Sequence, residues 1–223
     1  MRQKNKILEK YNDALSNVYD VATKKKELAW KSPDVVVKLL NPFLNHNDKI
    51  LDVGIGTGQS ASFFYKKGCQ VVGIDISKKM VEKAKTIMPK GSFYQFNIEK
   101  VKKLPEKNFD VVISSGALEF IENLDRLFNL INHNMKDGGY FCFTFEEYIP
   151  TMKTQKWRES ELGRGLKNPI PKSLSFIVYR RTLAEIKEIL KRNNFKFLKQ
   201  IKFNAYYKSN KVPVIYRAIL VRK

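Results

Sequence analysis

The segment best suited to chemistry is a glycine loop that follows an apolar run: Ile50-Leu51-Asp52-Val53-Gly54-Ile55-Gly56-Thr57-Gly58. Glycines at alternating positions let the backbone turn sharply and approach a ligand with no side chain in between. Asp75 ends the next apolar run, 17 residues after Gly58. A carboxylate at that position can accept hydrogen bonds from both hydroxyls of a ribose. Together, the loop and Asp75 predict a site for a nucleoside ligand.

The spacing of the glycines distinguishes two classes of nucleoside cofactor. A dinucleotide site has the pattern Gly-x-Gly-x-x-Gly, which places a pyrophosphate on a helix N-terminus. Here the third glycine comes one residue early, and Asp52 lies just before the loop. Its carboxylate would repel a pyrophosphate but would attract the ammonium group of S-adenosylmethionine, a sulfonium compound without phosphate. The loop therefore favours S-adenosylmethionine over NAD.

Candidates for acid–base chemistry follow the predicted fourth and fifth strands; they are Glu119, Glu146, Glu147 and Tyr148. Because the carboxyl ends of parallel strands lie at one edge of a sheet, these side chains could orient or deprotonate a hydroxyl or an amine that accepts a methyl group. The same carboxylates could instead cap helices or pair with lysines, and both interpretations stay open. The two histidines, His46 and His133, are expected on the surface.

Positioning these residues requires a sheet. Short apolar runs, typical of strands that are covered on both faces, occur at 49–53, 70–75, 92–96, 109–113 and 140–145. Between them, apolar residues recur at three- and four-residue steps in 77–88 and 124–131, which predicts amphipathic helices. Strands that alternate with helices form right-handed crossovers and a parallel sheet, so we expect an α/β sandwich.

The N-terminal part has a helical pattern. Residues 7–44 indicate two or three helices, with breaks at Ser32-Pro33 and Asn41-Pro42. Proline favours the first turn of a helix, so new helices are expected to begin at these two points.

The C-terminal part begins with an irregular stretch. Residues 150–178 contain three prolines and two glycines and show poor periodicity, which is typical of a long insert. After it, Thr182 is expected to cap an amphipathic helix. Two strand-like runs, 195–207 and 212–221, predict a hairpin joined by residues 208–211.

Composition and charge limit the class of protein. The chain has 223 residues, of which 43% are hydrophobic, and two cysteines, Cys69 and Cys142, in apolar stretches. These are expected to be buried thiols, without a disulfide or a metal site. No apolar run is long enough to span a membrane, and no apolar signal core follows the N-terminus. We therefore expect a soluble protein in the reducing cytoplasm.

The basic charge is uneven. Of the formal net charge of +20, residues 151–223 contribute +15, with 19 Lys/Arg against 4 Asp/Glu. Two interpretations stay open: a solvated basic face without a partner, or attraction to an acidic substrate or polyanion.

Several short motifs occur together in residues 49–146. Beside the glycine loop they are Val72-Gly73-Ile74-Asp75-Ile76-Ser77 with Met80, Phe96-Asn97-Ile98, Phe109-Asp110-Val111-Val112-Ile113-Ser114-Ser115 and Gly138-Gly139. This region resembles the class I S-adenosylmethionine-dependent methyltransferases. Val18-Tyr19-Asp20 and the C-terminal hairpin also match, most closely the small methyltransferases called TPR-linked or Williams–Beuren-region-type.

The resemblance implies a fold and a division of the chain. The fold is a Rossmann-like three-layer sandwich with a mostly parallel seven-stranded sheet, which ends in an antiparallel hairpin, and a helical N-terminal cap. We expect one domain over residues 1–223, with four parts: the N-terminal cap (1–48), a cofactor-binding core (49–146), a substrate-side insert (147–180), and a C-terminal helix and hairpin (181–223).

The resemblance also implies a set of cofactor-binding residues: Tyr19, Asp52, Gly54, Gly56, Gly58, Asp75, Ile76, Met80, Asn97, Ile98 and Ser114. In this set, Asp52 meets the ammonium group of S-adenosylmethionine and Asp75 takes the ribose hydroxyls. Ile76 and Met80 pack on the adenine, and Tyr19 closes over the cofactor. The family commonly has Asp where this chain has Asn97, whose amide carbonyl can still accept a hydrogen bond from the adenine amino group.

The expected reaction is methyl transfer from S-adenosylmethionine to an oxygen or nitrogen of a small molecule, acidic molecules included, with Glu119, Glu146 and Tyr148 as catalytic candidates. The alternatives are an RNA or protein substrate bound by the basic C-terminal third, which is less favoured, and a cofactor-binding protein without catalysis. The protein is expected to be a monomer or a homodimer without membrane contact. The insert, with Trp157 among Lys153, Lys156, Arg158, Arg164, Lys167 and Lys172, is expected to contribute to substrate choice.

Overall fold

The computed structural model describes residues 2–24, 30–152, 155, 159–162, 176–207 and 212–223. In these ranges the helices are α1 (Arg2–Leu15), α2 (Tyr19–Lys24), α3 (Ser32–Leu40), α4 (Ala61–Lys66), α5 (Lys78–Ile87), α6 (Leu124–Asn134) and α7 (Leu183–Arg192). The strands are β1 (Lys49–Val53), β2 (Gln70–Asp75), β3 (Ser92–Gln95), β4 (Phe109–Ser114), β5 (Met135–Glu146), β6 (Glu159–Leu162), β7 (Phe176–Tyr179), β8 (Lys196–Tyr207) and β9 (Pro213–Arg222). Two short 3-10 turns cover Asn41–Phe43 and Leu118–Phe120.

Seven of the strands form one sheet, in the order β3-β2-β1-β4-β5-β9-β8. The first five are parallel, whereas β9 is antiparallel to both β5 and β8. This confirms the predicted Rossmann-like sheet with its C-terminal antiparallel hairpin. The strand order reverses at β1, which has β2 on one side and β4 on the other. In open α/β sheets, ligands bind at the carboxyl edge beside such a reversal.

The sheet is covered on both faces. Neighbouring residues of β1 enter different cores, since Ile50 packs with the cluster around α3, α4 and α5, and Leu51 packs with the cluster around α6 and α7. Side chains alternate between the two faces of a strand, so a strand covered on both faces is apolar at nearly every position. Cys69 and Cys142 are buried free thiols in the first of these cores, as predicted.

The predicted helix starts are confirmed at two positions. Pro33 lies in the first turn of α3, and Thr182 caps α7 through a reciprocal pair of hydrogen bonds with Glu185. The Asn41-Pro42 pair begins only the short 3-10 turn, because the backbone becomes extended at Leu44. His46 and His133 are exposed, as expected.

The stretch predicted as an irregular insert contains a second, two-stranded sheet, in which β6 pairs antiparallel with β7. Its sequence pattern did not reveal these short strands. The basic residues and Trp157 that were expected to select the substrate (Lys153, Lys156, Arg158, Arg164, Lys167 and Lys172) lie outside the described residues, as does the link at 208–211. The division of the chain into four parts stays a prediction. Over the described ranges, no helix combines the length and the apolar character needed to cross a membrane.

Candidate active site

The glycine loop lies at the carboxyl end of β1. Gly54, Gly56 and Gly58 have φ values of 75°, 54° and 86°, a region that other residues rarely adopt. A Cβ atom added at Gly54 would lie 2.4 Å from the Cβ of Ala117, in the loop after β4. A Cβ atom added at Gly56 would meet no atom within 4 Å. The first glycine therefore packs against the neighbouring loop, and Gly56 borders open space in which a ligand can approach the backbone.

Asp52, on β1, is the carboxylate nearest to this loop in sequence. Its side chain is only 2% exposed, and its Oδ1 has no hydrogen-bond partner in the described part of the chain. Burial, and then the charge of Asp75, raise the pKa of Asp52 well above its usual range. Leaving a buried carboxylate oxygen without a hydrogen-bond donor costs free energy. A cationic or hydrogen-bonding group of a ligand at Asp52 Oδ1 would remove this cost.

Asp75, at the end of β2, holds the loop in place. Its Oδ2 accepts a hydrogen bond from the Gly56 N–H at 2.9 Å, and its Oδ1 accepts one from the Ser77 N–H at 2.9 Å. Burial raises its pKa to about 6, although these two hydrogen bonds lower it in part. Two carboxylate oxygens have about four acceptor positions, so Asp75 retains room for ribose hydroxyls beside its backbone partners.

The first two helices of the N-terminal cap contact the same loops. Asp20 on α2 accepts hydrogen bonds from the Thr57 hydroxyl at 2.6 Å and from the Gln59 amide at 3.1 Å. Asp13 on α1 accepts a 2.5 Å hydrogen bond from the hydroxyl of Ser77. Neither aspartate was expected to be functional, because an acidic residue on an amphipathic helix is usually solvated and its sequence context does not indicate a tertiary partner.

Tyr19 lies at the start of α2. Burial, followed by the charges of Glu119 and Asp75, raises the pKa of its hydroxyl. Asp75 ends β2 and Glu119 lies in the turn after β4, so Tyr19 is close to the carboxyl ends of both strands. The position is consistent with a residue that covers a bound cofactor.

The residues predicted around the adenine occupy one side of the site. Met80 is 3% exposed on α5, and Ile76 packs beside Leu8 of α1. The Asn97 side-chain oxygen accepts a hydrogen bond from the Glu99 N–H at 3.1 Å, so part of its acceptor capacity serves its own loop. Ile98 is half-buried against the core on the α6 side of the sheet.

Ser114 and Asn5 are both buried polar residues, and the cofactor role expected for Ser114 stays a prediction. The Ser114 hydroxyl is fully buried and donates a 2.9 Å hydrogen bond to the Val53 carbonyl, so it ties β4 to β1. Asn5 on α1 is 2% exposed, and both polar atoms of its amide have no partner among the described residues. One turn later, Glu9 accepts a hydrogen bond from Gln95 of β3. Asn5 could not be selected from the sequence, because an isolated polar residue in a helical pattern usually faces water.

Glu119 lies in the 3-10 turn after β4 and is 3% exposed. Its Oε1 accepts a 2.5 Å hydrogen bond from the Tyr216 hydroxyl of β9, whereas its Oε2 has no partner in the described ranges. Burial raises the pKa of Glu119 to about 7; the hydrogen bond from Tyr216 lowers it in part, and the charge of Glu146 raises it further. A carboxyl group with this pKa can gain or lose a proton near neutral pH.

The other predicted catalytic residues are engaged differently. Glu146 forms a buried ion pair with Arg180, at 2.5 Å. Glu147 accepts hydrogen bonds on both oxygens from Arg217, at 2.7 to 3.0 Å. Tyr148 is half-buried, and its N–H donates to the Arg181 carbonyl. Of the four candidates, Glu119 is the one with a buried side-chain oxygen that has no hydrogen-bond partner among the described residues.

Aromatic side chains lie against Glu119. Trp30, which precedes α3, contacts Tyr216 edge-on with ring centroids 5.2 Å apart and Tyr206 with centroids 5.8 Å apart. We call these three rings the aromatic wall. A Cβ atom at Gly116 would lie 2.4 Å from the Trp30 ring, which places the wall beside the loop after β4. Tyr206 faces the same carboxylates, since burial and the charges of Glu146 and Glu119 raise its pKa.

Comparison with known proteins agrees with this geometry. A family profile described as a methyltransferase domain matches residues 51–143. An uncharacterized protein of Haemophilus influenzae is 35% identical over 123 residues, which is 51% of this chain and 48% of that protein. Phosphoethanolamine N-methyltransferase of Plasmodium falciparum is 27% identical over 214 residues, or 85% of this chain and 80% of that enzyme. This chain therefore spans about half the length of the first relative and most of the second.

Among solved structures, magnesium protoporphyrin IX methyltransferase of Synechocystis PCC 6803, crystallised with S-adenosylhomocysteine, has a TM-score of 0.71 to this chain. The match covers 99% of both chains at 16% sequence identity. At that identity the likeness shows a shared fold.

Proposed function

Because this chain belongs to the class I S-adenosylmethionine-dependent methyltransferases, we propose that it transfers a methyl group to an oxygen or nitrogen atom of a small molecule. The domain profile over 51–143 supports the reaction class. A sequence relative whose name specifies phosphoethanolamine supports a small acceptor. The TPR-linked or Williams–Beuren-region subtype stays a prediction.

The residues present fit the cofactor. The observation that carries the proposal is the buried Oδ1 of Asp52, which has no hydrogen-bond partner among the described residues and lies on the strand that leads into the glycine loop. Asp52 would hold the ammonium group of the methionine part, and Asp75 would hold the ribose hydroxyls in addition to its backbone partners. The remaining residues proposed to line the cofactor are Tyr19, Gly54, Gly58, Ile76, Met80, Asn97 and Ile98. When bound, S-adenosylmethionine supplies a methyl group that is already activated on a positively charged sulfur.

The protein's own contribution is to position the acceptor and to manage its proton. The N-terminal cap covers the loops through Asp13 and Asp20, which restricts water and fixes the geometry. Glu119 can accept a proton on Oε2, because its pKa of about 7 leaves about half of it ionised at neutral pH. Its hydrogen bond with Tyr216 orients the carboxyl group. Glu119 is therefore our proposed base.

Glu146 is proposed as a positioning residue. Its ion pair with Arg180 connects β5 to the segment before α7, at the edge of the site. Nothing around the Tyr148 side chain assigns it a role, and it stays a prediction.

Thermal unfolding with S-adenosylhomocysteine, S-adenosylmethionine and NAD in parallel tests the cofactor assignment. A ligand at 100 times its Kd stabilises a protein by about 2.7 kcal/mol, which raises the Tm of a chain of this size by about 5–11 °C. We expect this shift with both sulfur nucleosides and none with NAD. Asp52→Asn should reduce the shift, whereas Asp137→Asn, which removes a carboxylate that is 97% exposed, should preserve it. Stabilisation by NAD alone would contradict the proposal.

The alternatives of an RNA or protein substrate and of a non-catalytic binding protein stay open to direct tests. Binding to RNA would weaken steeply with salt, since each phosphate contact releases counterions. A cofactor-binding protein without catalysis would bind S-adenosylhomocysteine but methylate no member of a broad acceptor panel.

A further inference from the structure

We infer that the methyl acceptor is a protonated amine, whose N–H group donates to Oε2 of Glu119 beside the aromatic wall of Trp30, Tyr206 and Tyr216. This inference rests on the proposed function, because it names the substrate class of the same site.

Glu119 has a buried carboxylate oxygen without a hydrogen-bond partner among the described residues. Glu119 is 3% exposed, and only one of its two carboxylate oxygens is satisfied, by the hydroxyl of Tyr216. For the other, Oε2, the described residues provide no donor. Leaving a buried carboxylate oxygen without a donor costs free energy, so the site is organised for a donor that a ligand brings. An N–H group that carries positive charge satisfies a carboxylate more strongly than a neutral hydroxyl does.

The two arginine side chains beside Glu119 already have hydrogen-bond acceptors within the protein. In the part of the chain that the structure describes, Arg180 donates to Glu146, and Arg181 donates to the backbone carbonyls of Leu118 and Ile121. The guanidinium groups beside the site therefore already have acceptors of their own. An anionic acceptor molecule would be repelled by the carboxylate of Glu119, and neither Arg180 nor Arg181 is free of other acceptors to offset this repulsion. A cationic acceptor molecule would be attracted by the same carboxylate.

The aromatic wall beside Glu119 favours a cationic ligand. Trp30 contacts both tyrosine rings at centroid distances of 5.2 and 5.8 Å, and Tyr216 also donates to Glu119. The negative face of an aromatic ring attracts an ammonium group, most strongly where water is displaced, and rings clustered around a carboxylate are suited to amines. The adjacent loop connects this wall to the cofactor side, because Gly116 packs on Trp30 and Ala117 packs on Gly54.

The proposed reaction consists of a proton transfer to Glu119 and a methyl transfer to the amine nitrogen. The ammonium nitrogen passes one proton to Oε2 of Glu119 and keeps the electron pair of the broken N–H bond. That pair forms the new N–C bond to the methyl carbon, while the C–S bond breaks and its electron pair stays on sulfur. The sulfonium becomes a neutral thioether, the methylated nitrogen carries the positive charge, and Glu119 releases its proton to solvent before the next turnover.

Binding of methylammonium, which carries the N–H donors that the inference requires, is compared with binding of acetate at equal ionic strength. Calorimetry is performed on the full chain with and without S-adenosylhomocysteine. We expect saturable binding of methylammonium, at least about tenfold tighter than that of acetate. Glu119→Gln should weaken methylammonium binding about tenfold and leave the affinity for S-adenosylhomocysteine unchanged. The control Glu188→Gln removes an exposed carboxylate on α7 and should change neither.

The outcomes separate the two proposals. Binding of S-adenosylhomocysteine without binding of methylammonium at up to about 0.1 M overturns the amine inference alone. Equal or tighter binding of acetate overturns it as well, and so does full retention of methylammonium affinity in Glu119→Gln. Methylammonium binding without any binding of S-adenosylhomocysteine overturns the proposed function and leaves the amine site standing.

Discussion

Replacement of Glu119 by Gln should change how the stability of the ligand-free protein depends on pH. Burial raises the pKa of Glu119 from its usual 4.5 to about 7, so the folded state binds this proton more tightly than the unfolded state does. The stability from protonated Glu119 is fully present below pH 4.5 and is lost as the pH rises through 7. The groups that share this environment are Tyr216, Glu146, Arg181, Tyr19 and Tyr206.

The magnitude follows from the pKa difference. Each tenfold change in proton affinity corresponds to about 1.4 kcal/mol, so ionising Glu119 in the folded state costs about 3 kcal/mol. About 2–3 kcal/mol of this cost develops between pH 5 and pH 8. For a chain of this size, that difference corresponds to a change in Tm of about 4–12 °C.

The assay is urea unfolding of the wild type and of Glu119→Gln at pH 5 and pH 8. Asp52 and Asp75 also have raised pKa values, so both proteins should lose stability as the pH rises. The wild type should lose about 2–3 kcal/mol more than the variant. Glu188→Gln, an exposed control, should follow the wild type. Equal pH dependence in the wild type and in Glu119→Gln would refute a buried carboxyl with a raised pKa.

Four further substitutions test the cofactor side of the site. Gly54→Ala should lower the free energy of unfolding, measured in urea, by about 2–4 kcal/mol, because the added Cβ would collide with the loop after β4. Gly56→Ala should lower it by only about 1–2 kcal/mol, since the added Cβ meets open space. The main effect of Gly56→Ala should be a reduced affinity for S-adenosylhomocysteine, measured by calorimetry. Asp75→Ala should weaken that affinity by about tenfold or more with an unchanged circular dichroism spectrum, and unchanged affinity would contradict the ribose assignment. Asp20→Asn should speed dissociation of S-adenosylhomocysteine by about three- to tenfold in stopped-flow experiments, because the hydrogen bond from Thr57 loses its charged acceptor; an unchanged rate would show that α2 does not retain the cofactor.

The sheet could be predicted from the sequence because its signals are local. The apolar runs of β1, β2 and β4 are continuous, since both faces of these strands are buried, and the turns between strands and helices carry glycine or a capping residue. The glycine loop and Asp75 lie within one β-α-β unit, so their spacing in sequence fixes their relation in space. The short strands β6 and β7 gave no comparable pattern, because four residues are too few to establish a period.

The parts of the site that were missed depend on distant partners. Glu119 could be selected as a candidate, but its hydrogen-bond donor Tyr216 is 97 residues away in the chain. The contact of Asp20 with Thr57 spans 37 residues, and that of Asp13 with Ser77 spans 64. Such pairs depend on how helices dock on the finished sheet, which neither propensity nor periodicity encodes.

The contacts of the N-terminal cap also determine the order in which the protein can fold. Helices α1 and α2 are synthesised before the strands of the sheet, yet their polar partners lie in the loops after β1 and β2. A helix of six residues such as α2 is unstable in isolation, since nucleation costs more than so few hydrogen bonds return. Helix α2 therefore depends on the edge of the sheet for its stability. By the same reasoning, we expect the amide protons of α2 to exchange faster than those of the central strands.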